Sequence, residues 1–313
     1  MTDKMMTGEA IPRPRRGFLA RAMGLGAAGL VAAIGARRTA RAQAAAVTDP
    51  AILNFALNLE YLEAEYYTLA TTGTGIAANG TAITGTGTAG PTTVKPSPKV
   101  PFVTPLIQQF AAELATDERL HVADIRNLLA TQGTAPVAKP AIDLLNSFNA
   151  AARAAGLGSS FDPFASEINF LIGAYIFEDV GVTAYHGAAP LIKNKDVLNY
   201  AAGIYAVEGY HAGTIRLMLA QQNLANPALN LAAATDAISK LRMAASGVSD
   251  YGVDDGAMNA AAGQSSIILT DTGGAAFART TAQVLSVVYL NAGPSATPTV
   301  GGFFPRGFNG VIR

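Results

Sequence analysis

The chain contains no cysteine, and only three histidines and nine glutamates among its 313 residues. Without cysteine there is no disulfide framework, no iron–sulfur cluster, no thiolate-bound haem and no cysteine nucleophile. Any metal must therefore be held by oxygen and imidazole. Charge is scarce too, at 14% of residues, and formally sums to zero. The first 44 residues distort that balance. They carry eight of the 22 basic and two of the 22 acidic residues, leaving 14 against 20 in the remainder. A body with about six net negative charges does not suit nucleic acid.

What is abundant is alanine within a composition that is 50% hydrophobic, with few β-branched runs, which favours helices. The N-terminus has the order of an export signal. Arg15-Arg16-Gly17-Phe18-Leu19 is followed by an uncharged stretch from Ala22 to Ala36, and Ala42-Gln43-Ala44 offers small residues for cleavage. Fifteen residues at about 1.5 Å each fall short of a hydrocarbon layer about 30 Å thick, which argues for a cleaved signal over an anchor. The paired arginines before Phe-Leu resemble a twin-arginine signal, read by export machinery for folded proteins. Residues 1–44 are thus expected to be removed and the product to be periplasmic or secreted. No later segment is long and apolar enough to span a membrane.

Helix starts are marked by Asp49-Pro50, Thr104-Pro105 and Asp162-Pro163, each a capping side chain before a proline. The pattern predicts long helices over about Pro50–Ala70, Pro105–Gln132, Pro163–His186 and Asp196–Asn223, with a shorter one over Ala141–Ala155. Residues 71–103 are Thr, Gly, Ala and Pro in aperiodic order and read as a long loop. An internal repeat relates the two helix pairs. Asn54-Phe55…Glu63 matches Asn169-Phe170…Glu178, and Phe110, Glu118 and His121 match Tyr200, Glu208 and His211. Treating 71–103 as an insertion in the first half reconciles the two spacings. The expectation is an all-α four-helix bundle over 45–223 with a long crossover. An extension over 224–313 should carry helices near Leu231–Ala245 and Ala275–Asn291, and its aromatic tail should pack on the bundle.

Glu118-Arg119-Leu120-His121 and Glu208-Gly209-Tyr210-His211 are both Glu-x-x-His. Residues three apart share a helix face, so carboxylate and imidazole can reach one metal together. For two of three histidines to fall in this pattern by composition alone has a chance of roughly 0.3%. Glu63, in a stripe with Leu59 and Tyr66, and Glu178, in a stripe with Leu171, Tyr175, Val182 and Tyr185, complete the set. Two divalent cations balance four buried carboxylates, which would otherwise repel one another. The candidate ligands are Glu63, Glu118, His121, Glu178, Glu208 and His211. Glu60 and Glu65 compete with Glu63, and only the repeat alignment favours Glu63. Buried ion pairs with Arg126 and Arg216 are the metal-free alternative, although outer partners suit those arginines better. Glu113 is read as facing solvent or outside the ligand shell, and His186 as a helix-end histidine. Tyr66, Tyr175, Tyr205 and Tyr210 lie within a turn of proposed ligands and are read as core packing.

One Glu plus Glu-x-x-His, occurring twice, resembles the ferritin-like di-iron and di-manganese proteins. Residues Ile52 to Leu219 are similar to a bacterial ferritin-like family related to plant desiccation-related proteins. The likeness is carried by Leu53-Asn54-Phe55-Ala56-Leu57-Asn58-Leu59-Glu60-Tyr61-Leu62-Glu63-Ala64-Glu65, by Glu208-Gly209-Tyr210-His211 and by Gly302-Phe303-Phe304-Pro305. That resemblance implies two divalent ions, iron or manganese, and a role in oxidative or desiccation stress. The activity is either redox turnover of oxygen or peroxide, or metal binding without turnover. A metal-free structural protein is the remaining alternative. The oligomeric state stays open, although a 24-subunit cage would have to accommodate both the insertion and the C-terminal extension.

Overall fold

The computed structural model describes residues 47–253, 267–291, 293 and 298–313. The proposed signal segment lies outside the described residues. Four long helices pack as two hairpins: α1 (Asp49–Thr72) with α2 (Pro105–Thr131), and α4 (Glu167–Ala188) with α5 (Lys195–Ala225). Arg119 bonds Thr68 while Arg126 bonds Tyr61, so α1 and α2 run antiparallel. The crossover between the hairpins holds a short α3 (Asn146–Ala154). No helix among the described residues is long and apolar enough to cross a membrane.

The caps explain where helices begin. Thr48, not Asp49, caps α1, accepting from the Ala51 N–H. The Asp49 carboxylate instead accepts from the Lys193 and Asn194 N–H groups and ties the start of α1 to that of α5. The third long helix starts later than Asp162-Pro163 predicts. Asp162 Oδ1 accepts from the Phe164 N–H in a local turn, and Ser166, extended and bonded to the Asn169 N–H, is the true cap. Likewise α3 begins at Asn146, because Asp143 accepts from the Leu145 and Asn146 N–H groups.

Residues 71–103 are more than a connection. Within them β1 (Thr92–Thr93) pairs in parallel with β2 (Ile142–Asp143) of the crossover, and Thr86 bridges Val137. At Gly85 and Gly90 a Cβ would collide with the backbones of Pro136 and Ala141, so glycine is what permits this close approach. The segment helps cover α1, of which 18 of 24 residues are buried, leaving that helix no solvent face.

The C-terminal extension contributes α6 (Leu231–Ser246) and α7 (Thr281–Val288). The latter is shorter than Ala275–Asn291, because a capping box of Thr280 and Gln283 sets its start and Leu290 turns left-handed. A buried charge chain fastens the extension to α4 and α5. Asp179 pairs with Arg216 and Arg242, and Asp250 with Arg242 and Arg279. Such pairs contribute little net stability, but breaking one strands a buried charge. In the tail, Phe308 packs on Phe55 and Phe303 on Phe177, with ring centroids 5.3 and 4.9 Å apart. Asn309 bonds Asn58, Thr88 and Ala138, joining α1, the loop and the crossover.

Candidate metal centre

Midway along the bundle, donor atoms of Glu60, Glu118, His121 and Glu208 all lie within 4.8 Å of one another, as do those of Glu118, Glu178 and His211. Each long helix supplies at least one of these buried side chains. Glu118 stands between the imidazoles, with Oε2 3.4 Å from His121 Nδ1 and Oε1 3.1 Å from His211 Nδ1. Glu60 Oε2 is 3.3 Å from His121 Nδ1, and Glu178 Oε2 is 3.5 Å from His211 Nδ1. The third helix must come close for Glu208 to fit: a Cβ at Gly181 would collide with the Glu208 carboxylate.

Several of these buried atoms have no hydrogen-bond partner. They are one oxygen each of Glu60 and Glu178, both oxygens of Glu118 and Glu208, and Nδ1 of both histidines. Buried polar atoms are nearly always satisfied, so converging orphans of metal-ligating type fit a metal site, and Glu118 belongs to both groups of donors. Without metal the cluster must hold protons instead. Burial, then Glu118, pushes Glu60 up to about 7. Burial also raises Glu63, Glu178 and Glu208. Glu118 goes the other way: against burial, His121 and His211 hold it below the usual carboxylate range. Burial alone would lower the imidazoles, but Glu118 and then Glu60 raise His121 to about 11, and Glu178 and Asp117 raise His211.

Of the six residues expected from sequence, Glu118, His121, Glu178, Glu208 and His211 come together. The first-helix member of the group is Glu60, while Glu63 lies beside it, outside the set of mutually close donors. Two reciprocal hydrogen bonds explain the difference. The Tyr67 hydroxyl donates to Glu178 Oε1 at 2.5 Å, and the Tyr185 hydroxyl donates to Glu60 Oε1. Glu60 and Tyr67 thus correspond to Glu178 and Tyr185 at an offset of 118, one helical turn beyond the 115 set by Asn54 and Asn169. At that offset Glu63 corresponds to Gly181. Glu65 is buried elsewhere, 3.5 Å from Lys139 Nζ.

The outer partners also differ from those expected. Asp117 accepts from His211 Nε2 at 3.2 Å, leaving Nδ1 turned toward the carboxylates. The repeat-equivalent of Asp117 is Val207, so the two halves of the centre are unequal. Arg126 bonds the Tyr61 hydroxyl and Arg216 pairs with Asp179. Tyr66 bonds the Phe170 carbonyl, Tyr175 meets Ser239, Tyr205 stacks on His186 and Tyr210 is exposed. The supporting tyrosines are Tyr67 and Tyr185, and the repeated Glu-x6-Tyr spacing is the sequence signal for them. His186 bonds the Phe277 carbonyl near the end of its helix, and Glu113 is exposed beside Gln109.

A family model described as a ferritin-like domain matches residues 48–221. The chain is 31% identical over 215 residues to desiccation-related protein PCC13-62 of Craterostigma plantagineum, an alignment spanning 66% of each chain, just under two thirds of that relative. It is 29% identical over 277 residues, 84% of each chain, to ferritin-like catalase Nec2 of Nesocodon mauritianus. No solved structure matches significantly.

Proposed function

The chain belongs to the ferritin-like family, and on that footing we propose that it is an exported protein holding two divalent ions, iron or manganese. The ions would serve redox chemistry on peroxide or oxygen in oxidative or desiccation stress. The observation that carries this reading is the set of orphaned carboxylate oxygens and imidazole nitrogens converging on Glu118. Glu60, Glu118, His121 and Glu208 would hold one ion, and Glu118, Glu178 and His211 the other. A bound metal pair supplies electrons to, or takes them from, an oxygen species. The protein's own part is positional. Tyr67 and Tyr185 each donate to a ligand carboxylate and fix its rotamer, Asp117 fixes the tautomer of His211, and the apolar surroundings exclude bulk water. A relative named as a catalase favours peroxide as the oxidant, and one named for desiccation favours a stress role. Metal binding without turnover is the second reading, since the same ligand set serves it equally.

The test compares Glu60→Gln with Glu63→Gln. Glu60→Gln should lose at least one ion per chain by elemental analysis, whereas Glu63→Gln should keep about two. Loss in the second and retention in the first would assign the ligand to Glu63. The export proposal rests on Arg15-Arg16 and the apolar stretch after them. Replacing both arginines by lysine should hold the precursor in the cytoplasm, and unchanged export on cell fractionation would sink it.

A further inference from the structure

Beside the centre lies an apolar cavity whose lining includes none of the mutually close donors. It lies between α1, α3, α4 and α6, walled by Leu59, Leu62, Phe148, Ile176, Val180 and Ile238. Two further lining residues join it to the centre. Gly181 abuts the Glu208 carboxylate, and Glu63 carries a buried carboxyl one turn from Glu60. Its outer end is marked by Leu157, which is 41% exposed. A second, open depression of about 380 Å³ at His211 is mixed in character, with Asp117, Glu113, Gln109 and Thr214 set among Phe110 and Met218.

We propose that the apolar cavity takes up dioxygen beside the centre. This rests on the redox reading above and names the small molecule that uses this side. Size and chemistry select the occupant. The cavity volume is about 50 Å³. Dry apolar cavities of about 150 Å³ take benzene or xenon, so a third of that volume excludes an aromatic ring and admits a diatomic gas. Peroxide and hydrated cations need several hydrogen-bond partners. The cavity's polar lining side chains are only Glu63, Arg242 and Asn291, and both terminal nitrogens of Arg242 are already engaged, by the Tyr175 carbonyl, Asp179 and Asp250, leaving Nε. Polar species are therefore assigned to the His211 side, where a row of donors and acceptors can hydrate them. Dioxygen needs no hydrogen bond to enter and partitions into apolar space.

Methyl NMR of the metal-free protein under dioxygen pressure tests this directly, because the gas is paramagnetic. Relaxation of the Leu59, Ile176, Val180 and Ile238 methyls should be enhanced at least about threefold over that of exposed Leu224 and Val103, as expected for gas concentrated in a dry cavity. Ala152→Phe, from the α3 wall, should abolish that enhancement while leaving metal content unchanged. Should that variant fail to fold, Ala245→Phe fills the cavity from α6. Enhancement no greater than at the exposed methyls overturns the proposal, as does enhancement that persists in a folded, filled variant. Gas in the cavity of a protein that binds no metal would sink the metal reading alone, so the two failures are distinguishable.

Discussion

Glu118 and Glu208 occupy repeat-equivalent positions, yet their electrostatic situations are opposite. Glu118 faces both imidazoles and is held below the usual carboxylate range, whereas Glu208 is raised by burial and by Glu63. Removing either charge should sharply weaken metal binding, since each is a charged donor in the group around His121. The metal-free protein should separate them. Glu208→Gln should melt at or above the wild type, because burial and the neighbouring carboxylates already drive Glu208 toward the neutral form that glutamine imitates. Glu118→Gln should cost about 1–3 kcal/mol, because it strips a charged partner from two buried imidazoles at once. Melting curves in chelator check both signs, and a shift in the same direction for both variants would count against this charge layout. Glu63 and Glu60 illustrate what sequence alone leaves open at this scale. Three residues apart on one helix, they share a face, so hydrophobic pattern cannot rank them. Only the exchange of hydroxyls between α1 and α4, Tyr185 to Glu60 and Tyr67 to Glu178, separates the two.

At the scale of elements, the four long helices and both Glu-x-x-His pairs were legible because apolar periodicity and i, i+3 spacing are local properties. The repeat offset was less so. Asn54 and Asn169 look equivalent in sequence, but Asn54 accepts from the Val137 N–H of the crossover while the Asn169 side chain donates to the Asp162 carbonyl. Their shared identity reflects two separate contacts with flanking segments and misplaces the alignment by one turn. The Thr/Gly segment was the least legible element, since its order comes from partners distant in the chain. Gly90 and Thr92 receive the Lys139 ammonium, and Leu144 donates to the Thr93 carbonyl. Deleting Thr72–Pro96 should therefore lower the melting temperature by on the order of 5 °C or more, through lost pairing and the loss of two of the acceptors of Lys139. Metal content should survive, because no member of the ligand group lies in the segment. Thermal melts and elemental analysis of one deletion variant read both outcomes, and an unchanged melt would show that the pairing contributes nothing.

For the whole molecule, the centre sits where the two hairpins meet, and the loop, crossover and aromatic tail wrap the outside of α1. Burial of this depth makes a metal-free cluster costly, since at least four carboxylates and two imidazoles share one buried site. A ligand that binds only the folded state stabilises it in proportion to RT ln(1 + [L]/Kd), so metal should be read out as stability as well as composition. Elemental analysis of the chain expressed with its N-terminal segment and purified without chelator, paired with melts before and after chelation, is the decisive measurement. About two iron or manganese ions per chain and a melting temperature that falls by at least about 5 °C in chelator are the expected result. Fewer than about 0.2 ions per chain after reconstitution with ferrous or manganous salts, with a melt indifferent to chelator, would contradict it and leave a metal-free structural bundle.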